Sequence, residues 1–140
     1  MKHFLKCSTL LFCLFCLLTQ MSCKKDGALD REKFLGAYSV LEDCSPGQTF
    51  NMSVTESSSG ESGVVISNFG NFSNNVTGTV SGSSITIASQ TFNFNNNGTL
   101  IAVTLTGGGS IIDKTMTITY SWTAAAVGTG GTCAMTCSKQ

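Results

Sequence analysis

Along most of the chain, apolar and polar residues take turns. Met116, Ile118, Tyr120 and Trp122 alternate with Thr115, Thr117, Thr119, Ser121 and Thr123. A period of two puts each set on its own side of a pleated strand, because successive Cβ atoms point to opposite faces. The same rhythm runs through Phe50, Met52 and Val54, through Val76 and Val80, through Ile85 and Ile87, and through Ile101, Val103 and Leu105. Turn-forming groups stand between the runs: Ser58-Ser59-Gly60, Asn74-Asn75, Ser81-Gly82-Ser83, Asn97-Gly98, Gly107-Gly108-Gly109 and Asp113-Lys114. Asn-Gly favours a type I′ hairpin, whose two central residues both need positive φ. The intervals leave no room for crossover helices, so consecutive strands are expected to pair antiparallel. The expected fold is all-β: an up-and-down antiparallel barrel of about eight strands over residues 31–140, with a β-sandwich as the alternative.

Two segments lie outside this rhythm. Leu29-Asp30-Arg31-Glu32-Lys33-Phe34 can form one or two helical turns capped by Asp30, too short to be stable without packing. At the N-terminus, Lys2, His3 and Lys6 precede the apolar run from Leu10 to Leu18. A basic start followed by a short apolar segment reads as a secretory signal peptide, and the run falls short of the ~20 residues that span a bilayer.

Met21-Ser22-Cys23 resembles the end of a bacterial lipoprotein signal, and Ser22-Cys23-Lys24-Lys25-Asp26 resembles lipoprotein starts of the Bacteroidota. The resemblance implies a signal over 1–22, diacylation of Cys23, a lipidated tether over 23–30, and anchorage in the cell envelope, with the outer membrane as the expected site. Acyl chains contribute about 0.8 kcal/mol per buried CH₂, so more than one of them makes a stable anchor.

Charge narrows the function. Lys plus Arg and Asp plus Glu are 8 each, and charged residues make up 11% of the chain, against about 25% in ordinary soluble proteins. Removal of the signal takes Lys2, Lys6 and the sole histidine, His3, leaving a slight acidic excess. From Cys44 onward the only charged residues are Glu56, Glu61, Asp113, Lys114 and Lys139. Nucleic acid is therefore not an expected partner, since phosphate binding needs clustered Lys and Arg. Without histidine there is no usual base for a Ser or Cys nucleophile. Glu42 and Asp43 are adjacent in a strand and face opposite ways, which rules them out as a paired acid and base. Glu56 and Glu61 flank a turn as solvated charges. Gly107-Gly108-Gly109-Ser110 lacks the Lys-Ser/Thr of a phosphate loop. Neither catalysis nor a cofactor is expected.

The remaining cysteines are Cys44, Cys133 and Cys137. Cys44 is expected on the core face of the first strand with Tyr38 and Val40. Cys133 and Cys137 share one face of the last strand, but four residues of strand span about 13 Å, too far for a bridge. One of them should pair with Cys44, tying the last strand to the first; Cys133 is preferred and Cys137 is the alternative. A metal centre is not expected, because the mature chain has no histidine and the Cys-Ala-Met-Thr-Cys spacing is not that of a zinc knuckle.

Phe34-Leu35-Gly36-Ala37-Tyr38, a short helical turn leading into a first strand, resembles the opening Gly-x-Trp element of lipocalin-like barrels, with Tyr38 in the place of Trp. With the hairpin ladder and a closing strand that carries Cys133 and Lys139, residues 31–140 resemble small lipocalin-like lipoproteins of the Bacteroidota. The resemblance implies a non-catalytic binding module, holding a small lipophilic ligand in its interior or mouth or gripping an envelope partner. Phe50, Met52, Tyr120 and Trp122 are the candidate lining residues. The alternative is a structural, surface-coat or inhibitor lipoprotein that presents its Thr, Ser and Asn faces outward.

Overall fold

The alternation resolves into eight strands, each hydrogen-bonded to the next, with the last returning to the first to close a barrel. This computed structural model describes residues 26–140; the signal segment and Cys23 lie outside the described residues. Helix α1 (Asp26–Phe34) is followed by β1 (Gly36–Glu42), β2 (Thr49–Glu56), β3 (Gly63–Ser67), β4 (Asn75–Ser81), β5 (Ser84–Asn96), β6 (Thr99–Ile112), β7 (Thr115–Ala124) and β8 (Thr129–Lys139). Every pairing is antiparallel, including β1 with β8, where Val40 lies opposite Cys137. Closure removes the sheet edges that a sandwich would leave exposed. Among the described residues no helix is long and apolar enough to cross a membrane.

The inward set of each strand fills the barrel. Tyr38 and Val40 of β1, Met52 and Val54 of β2, and Met116, Ile118 and Tyr120 of β7 are all buried. Small barrels fill their interiors with side chains, and this one follows suit. The two ends differ. At one, which also carries the β6–β7 turn, α1 lies against the β2–β3 and β4–β5 turns, and Phe34 is wholly buried as a plug whose carbonyl accepts a 2.7 Å hydrogen bond from Tyr38 Oη. At the other stand the β1–β2 and β3–β4 loops, the β5–β6 tip and the β7–β8 loop.

Asn97-Gly98 forms the β5–β6 turn with φ of 51° and 89°, the two positive values a type I′ hairpin requires. Gly107-Gly108-Gly109, expected as a turn, is instead the middle of β6, facing Tyr120, Thr119 and Ile118 of β7. The strands approach too closely there for side chains. A Cβ on Gly107 would lie 2.7 Å from the Thr119 carbonyl oxygen, and one on Gly109 would collide with that of Thr117. Glycine here marks close backbone approach inside a strand. α1 also begins earlier than expected, so Asp30 is an interior residue of the helix rather than its cap.

Beyond Ile87 the β5–β6 hairpin leaves the barrel wall. β4 pairs with β5 only from Thr79–Thr86 to Ser81–Ser84, and β7 pairs with β6 only from Thr104–Thr123 onward. From Phe92–Val103 to Asn96–Thr99 the two strands pair only with each other. A register shift between Ile87 and Gln90 marks the departure. There the Gln90 amide replaces strand pairing: its Oε1 accepts from Thr77 N and its Nε2 donates to Thr77 O, both at 2.9 Å. The hairpin becomes a flange standing over the open end.

Candidate functional site

The flange has one apolar face. Phe92, Phe94 and Ile101 are half-buried and Val103 is buried, whereas Asn93, Asn95 and Ala102 face out. Opposite it, the β3–β4 loop turns through left-handed residues at Asn68, Gly70, Asn71 and Ser73 and presents Phe72. The Phe72 ring lies 5.4 Å from that of Phe94, edge to face, and 5.7 Å from that of Phe92. Trp122, near the end of β7, and Val127, in the β7–β8 loop, form the third wall.

Between these walls is a cleft of about 260 Å³ lined by Phe72, Phe94, Ile101, Val103, Trp122 and Val127, with Asn96 and Thr129 at its polar margin. No charged residue lines it. Its size is just below the ~300–1,000 Å³ typical of small-molecule sites, and apolar walls with a few polar groups are their usual make-up. Two other depressions are less enclosed. One, of about 310 Å³, lies outside β1 and β8 beside Leu41, Asp43 and Pro46 and has no aromatic wall. The other, of about 120 Å³, is rimmed by the hydroxyl residues Thr104, Thr106, Ser121 and Thr123.

The four candidate lining residues are divided by the structure. Met52 and Tyr120 belong to the packed core, at 2% and 1% exposure, rather than to a cavity wall. Phe50 is half-buried and packs against that core. Trp122 alone of the four borders the cleft. Phe72, Phe94, Ile101, Val103 and Val127 were not among the sequence candidates. The alternation of Phe92 and Phe94 with Thr91 and Asn93 carried a signal for the flange, but Phe72 sits in a loop with no periodicity to reveal it.

Beneath the mouth lies a buried polar pair. Tyr120 Oη donates a 2.7 Å hydrogen bond to Glu42 Oε1, and Glu42 is 4% exposed. Phe69 packs edge to face on the Tyr120 ring with centroids 4.8 Å apart, covering the pair from the β3–β4 loop. Burial, and then the neighbouring Glu42 carboxylate, raises the Tyr120 hydroxyl well above its usual range. Burial, with a smaller contribution from Glu42, pushes the Cys137 thiol up to about 12. Burial likewise pushes Tyr38 to about 12.

The disulfide joins Cys44 to Cys133, with Cα atoms 5.5 Å apart, and Cys137 is a buried free thiol. Cys44 is not on the core face, however. β1 ends at Glu42, and Cys44 is exposed in the following turn, reaching β8 from outside the strand. Asp43 fixes this turn as well: its N–H donates to Ala134 O at 3.1 Å, and its Oδ1 accepts from Ala134 N at 2.7 Å. Asp43, Cys44 and Cys133 cluster closely enough to hold a metal ion, but the two sulfurs are bonded to each other, so neither is a thiolate ligand.

No protein-family model, curated protein or solved structure matches this chain.

Proposed function

We propose that the mature protein is an envelope lipoprotein, anchored through Cys23 in the outer membrane, whose barrel serves as a rigid scaffold for a non-catalytic binding site. The ligand is small, uncharged and lipophilic, either free or carried as an apolar group by an envelope partner. The cleft between Trp122, Phe72 and Phe94 is the observation that carries this reading. Aromatic walls favour apolar or ring-bearing ligands through burial and stacking. The lack of charged lining disfavours ionic ones, because an unpaired charge is costly to desolvate. Catalysis is not part of the reading: the Tyr120–Glu42 pair lies under Phe69 rather than in the cleft, and Cys137 is buried.

A surface-coat role has one supporting observation. Hydroxyl pairs link neighbouring strands on the outer face, Thr91 with Thr104 at 2.7 Å and Ser121 with Thr132 at 3.0 Å. Such pairs also stabilise any sheet facing water, so they favour the coat less than the cleft favours binding.

The test is photo-crosslinking of the lipidated protein in cell envelopes, followed by pulldown and mass spectrometry of both lipids and proteins. A reproducible small molecule or a recurrent protein, crosslinked at the flange and lost when Phe94 is replaced by Ser, is the expected result. Crosslinks confined to the outer Thr/Ser face would favour the coat.

A further inference from the structure

The end of the barrel opposite the cleft is organised around α1. Arg31 forms a 3.0 Å ion pair with Glu56, at the end of β2, and its Nη1 donates to Gly60 O at 3.1 Å. Asp30 Oδ2 accepts from the Gly82 N–H at 2.6 Å, and Lys33 Nζ donates to Gly82 O at 3.3 Å. From the far strand, Lys139 Nζ donates to Lys33 O at 3.1 Å. With Phe34 buried below it, the helix is riveted across the closed end at three separate turns or strand ends. The direction from which the chain enters the barrel is therefore set by the fold.

The surface of that end is distinctive. Every cation of the described residues lies there: Arg31, Lys33, Lys114 and Lys139. Acids balance them, so the end is charged but not basic. Beside Lys114, Ile112 at the end of β6 is 74% exposed, and Leu29 on α1 is 46% exposed; Leu41, Leu100 and Val127 are comparably exposed at the other end, but no cation of the described residues stands beside them. Apolar side chains next to lysines that can extend their ammonium groups to the headgroups suit a bilayer interface.

We infer that the barrel stands on its membrane by this closed end and holds the cleft away from it. The inference rests on the lipid anchor of the proposed function. Cys23 precedes Asp26 by three residues, roughly 10 Å of fully extended chain. A tether this short keeps the closed end near the lipid. In β6, Val103 and Ile101 of the cleft stand 9 and 11 residues from Ile112 at that end, which at about 3.3 Å per residue and a tilt near 40° is roughly 23–28 Å along the barrel axis. The cleft is thus beyond the reach of the anchoring leaflet. Its ligand arrives from the aqueous side or on a facing partner, and is not a phospholipid drawn from the bilayer beneath.

Trp122 is the sole tryptophan, which makes the geometry measurable. Full-length lipidated protein is reconstituted into phosphatidylcholine–phosphatidylglycerol vesicles, with and without bromines on the acyl chains. The protein is expected to float with the vesicles, and Trp122 emission to be the same in both. In a Trp122→Phe background, Ile112→Trp is expected to lose at least half its emission in the brominated vesicles. A protein that floats but whose Trp122 is quenched, or whose Ile112→Trp reporter is not, overturns the orientation and leaves the anchor standing. A protein that does not float overturns the anchor and the orientation with it.

Discussion

Tyr120→Phe removes one oxygen and tests the packing logic of the barrel mouth. The ring stays, and with it the 4.8 Å edge-to-face contact with Phe69. What goes is the 2.7 Å hydrogen bond to Glu42, a carboxylate that is 4% exposed. Hydrogen bonds to charged groups contribute about 1.5–3 kcal/mol net, and a buried acceptor left without its donor puts the loss in the upper part of that range. The expected loss is therefore about 2–3 kcal/mol, which in a domain of this size lowers Tm by roughly 10 °C. Guanidinium and thermal unfolding followed by circular dichroism at neutral pH, without reductant, would measure it. The double variant Glu42→Met/Tyr120→Phe removes donor and acceptor together and fills the space with apolar atoms. It should recover much of the loss, because pairs removed together can be nearly neutral. A loss below about 0.5 kcal/mol for Tyr120→Phe, or a double variant as unstable as the sum of the singles, would mean that the Tyr120–Glu42 bond does not hold the barrel mouth together.

Other consequences are open to direct measurement. The Cys44–Cys133 bond closes a sequence separation of 89 residues; removing it with Cys44→Ser/Cys133→Ser should cost from about 2 up to about 4.5 kcal/mol, and denaturant unfolding that shows less than about 1 kcal/mol would contradict the estimate. Cys137 and Tyr38 are both pushed to about 12, so the folded protein keeps protons that the unfolded chain releases from about pH 9 upward. Their stabilisation is complete below that pH and is lost as pH rises towards 12; a denaturation midpoint that stays flat between pH 8 and 11 would count against it. Gly109→Ala should destabilise by about 3 kcal/mol or more or abolish folding, since its Cβ collides with the Thr117 carbonyl. Gly108→Ala, whose nearest neighbour would be the Ile85 carbonyl oxygen at 3.1 Å, should be the milder of the two by thermal melting. In the native protein Cys137 should resist alkylation by iodoacetamide at pH 8 and react on unfolding; mass spectrometry showing rapid native labelling would place the thiol elsewhere.

Where local chemistry decides the structure, the sequence was legible. In β7 the apolar and hydroxyl residues alternate without interruption, and the strand, its inward face and its turn at Asp113-Lys114 follow directly. Asn97-Gly98 announces its hairpin for the same reason. The choice of Cys133 over Cys137 also held, although the route differed, because Cys44 reaches β8 from a turn rather than along the core face. The misses depend on neighbours distant in sequence. Gly107-Gly108-Gly109 looks like a turn until β7 is seen to leave no room for a Cβ at Gly107 or Gly109. Nothing local marks Gln90 as a side-chain substitute for a strand, or Asp30 and Arg31 as latches onto Gly82 and Glu56. The cleft was hidden for a related reason. Met52 and Tyr120 satisfy the same alternation as Trp122, and only the departure of the flange from the wall puts Trp122 beside open space while the other two are packed over.

If the cleft beneath the flange binds small uncharged apolar molecules, Trp122 on its wall reports the binding directly. Titration of the purified protein with N-phenyl-1-naphthylamine, an uncharged aromatic probe, should change Trp122 emission saturably at one probe per protein. Val127→Glu, which sets a charge at an exposed position in the cleft wall, should weaken binding at least about 10-fold, equivalent to about 1.4 kcal/mol, and leave the melting curve in place. A saturable change that survives Val127→Glu undiminished, or no saturable change in the native protein, would show that the cleft is not a binding site for such molecules.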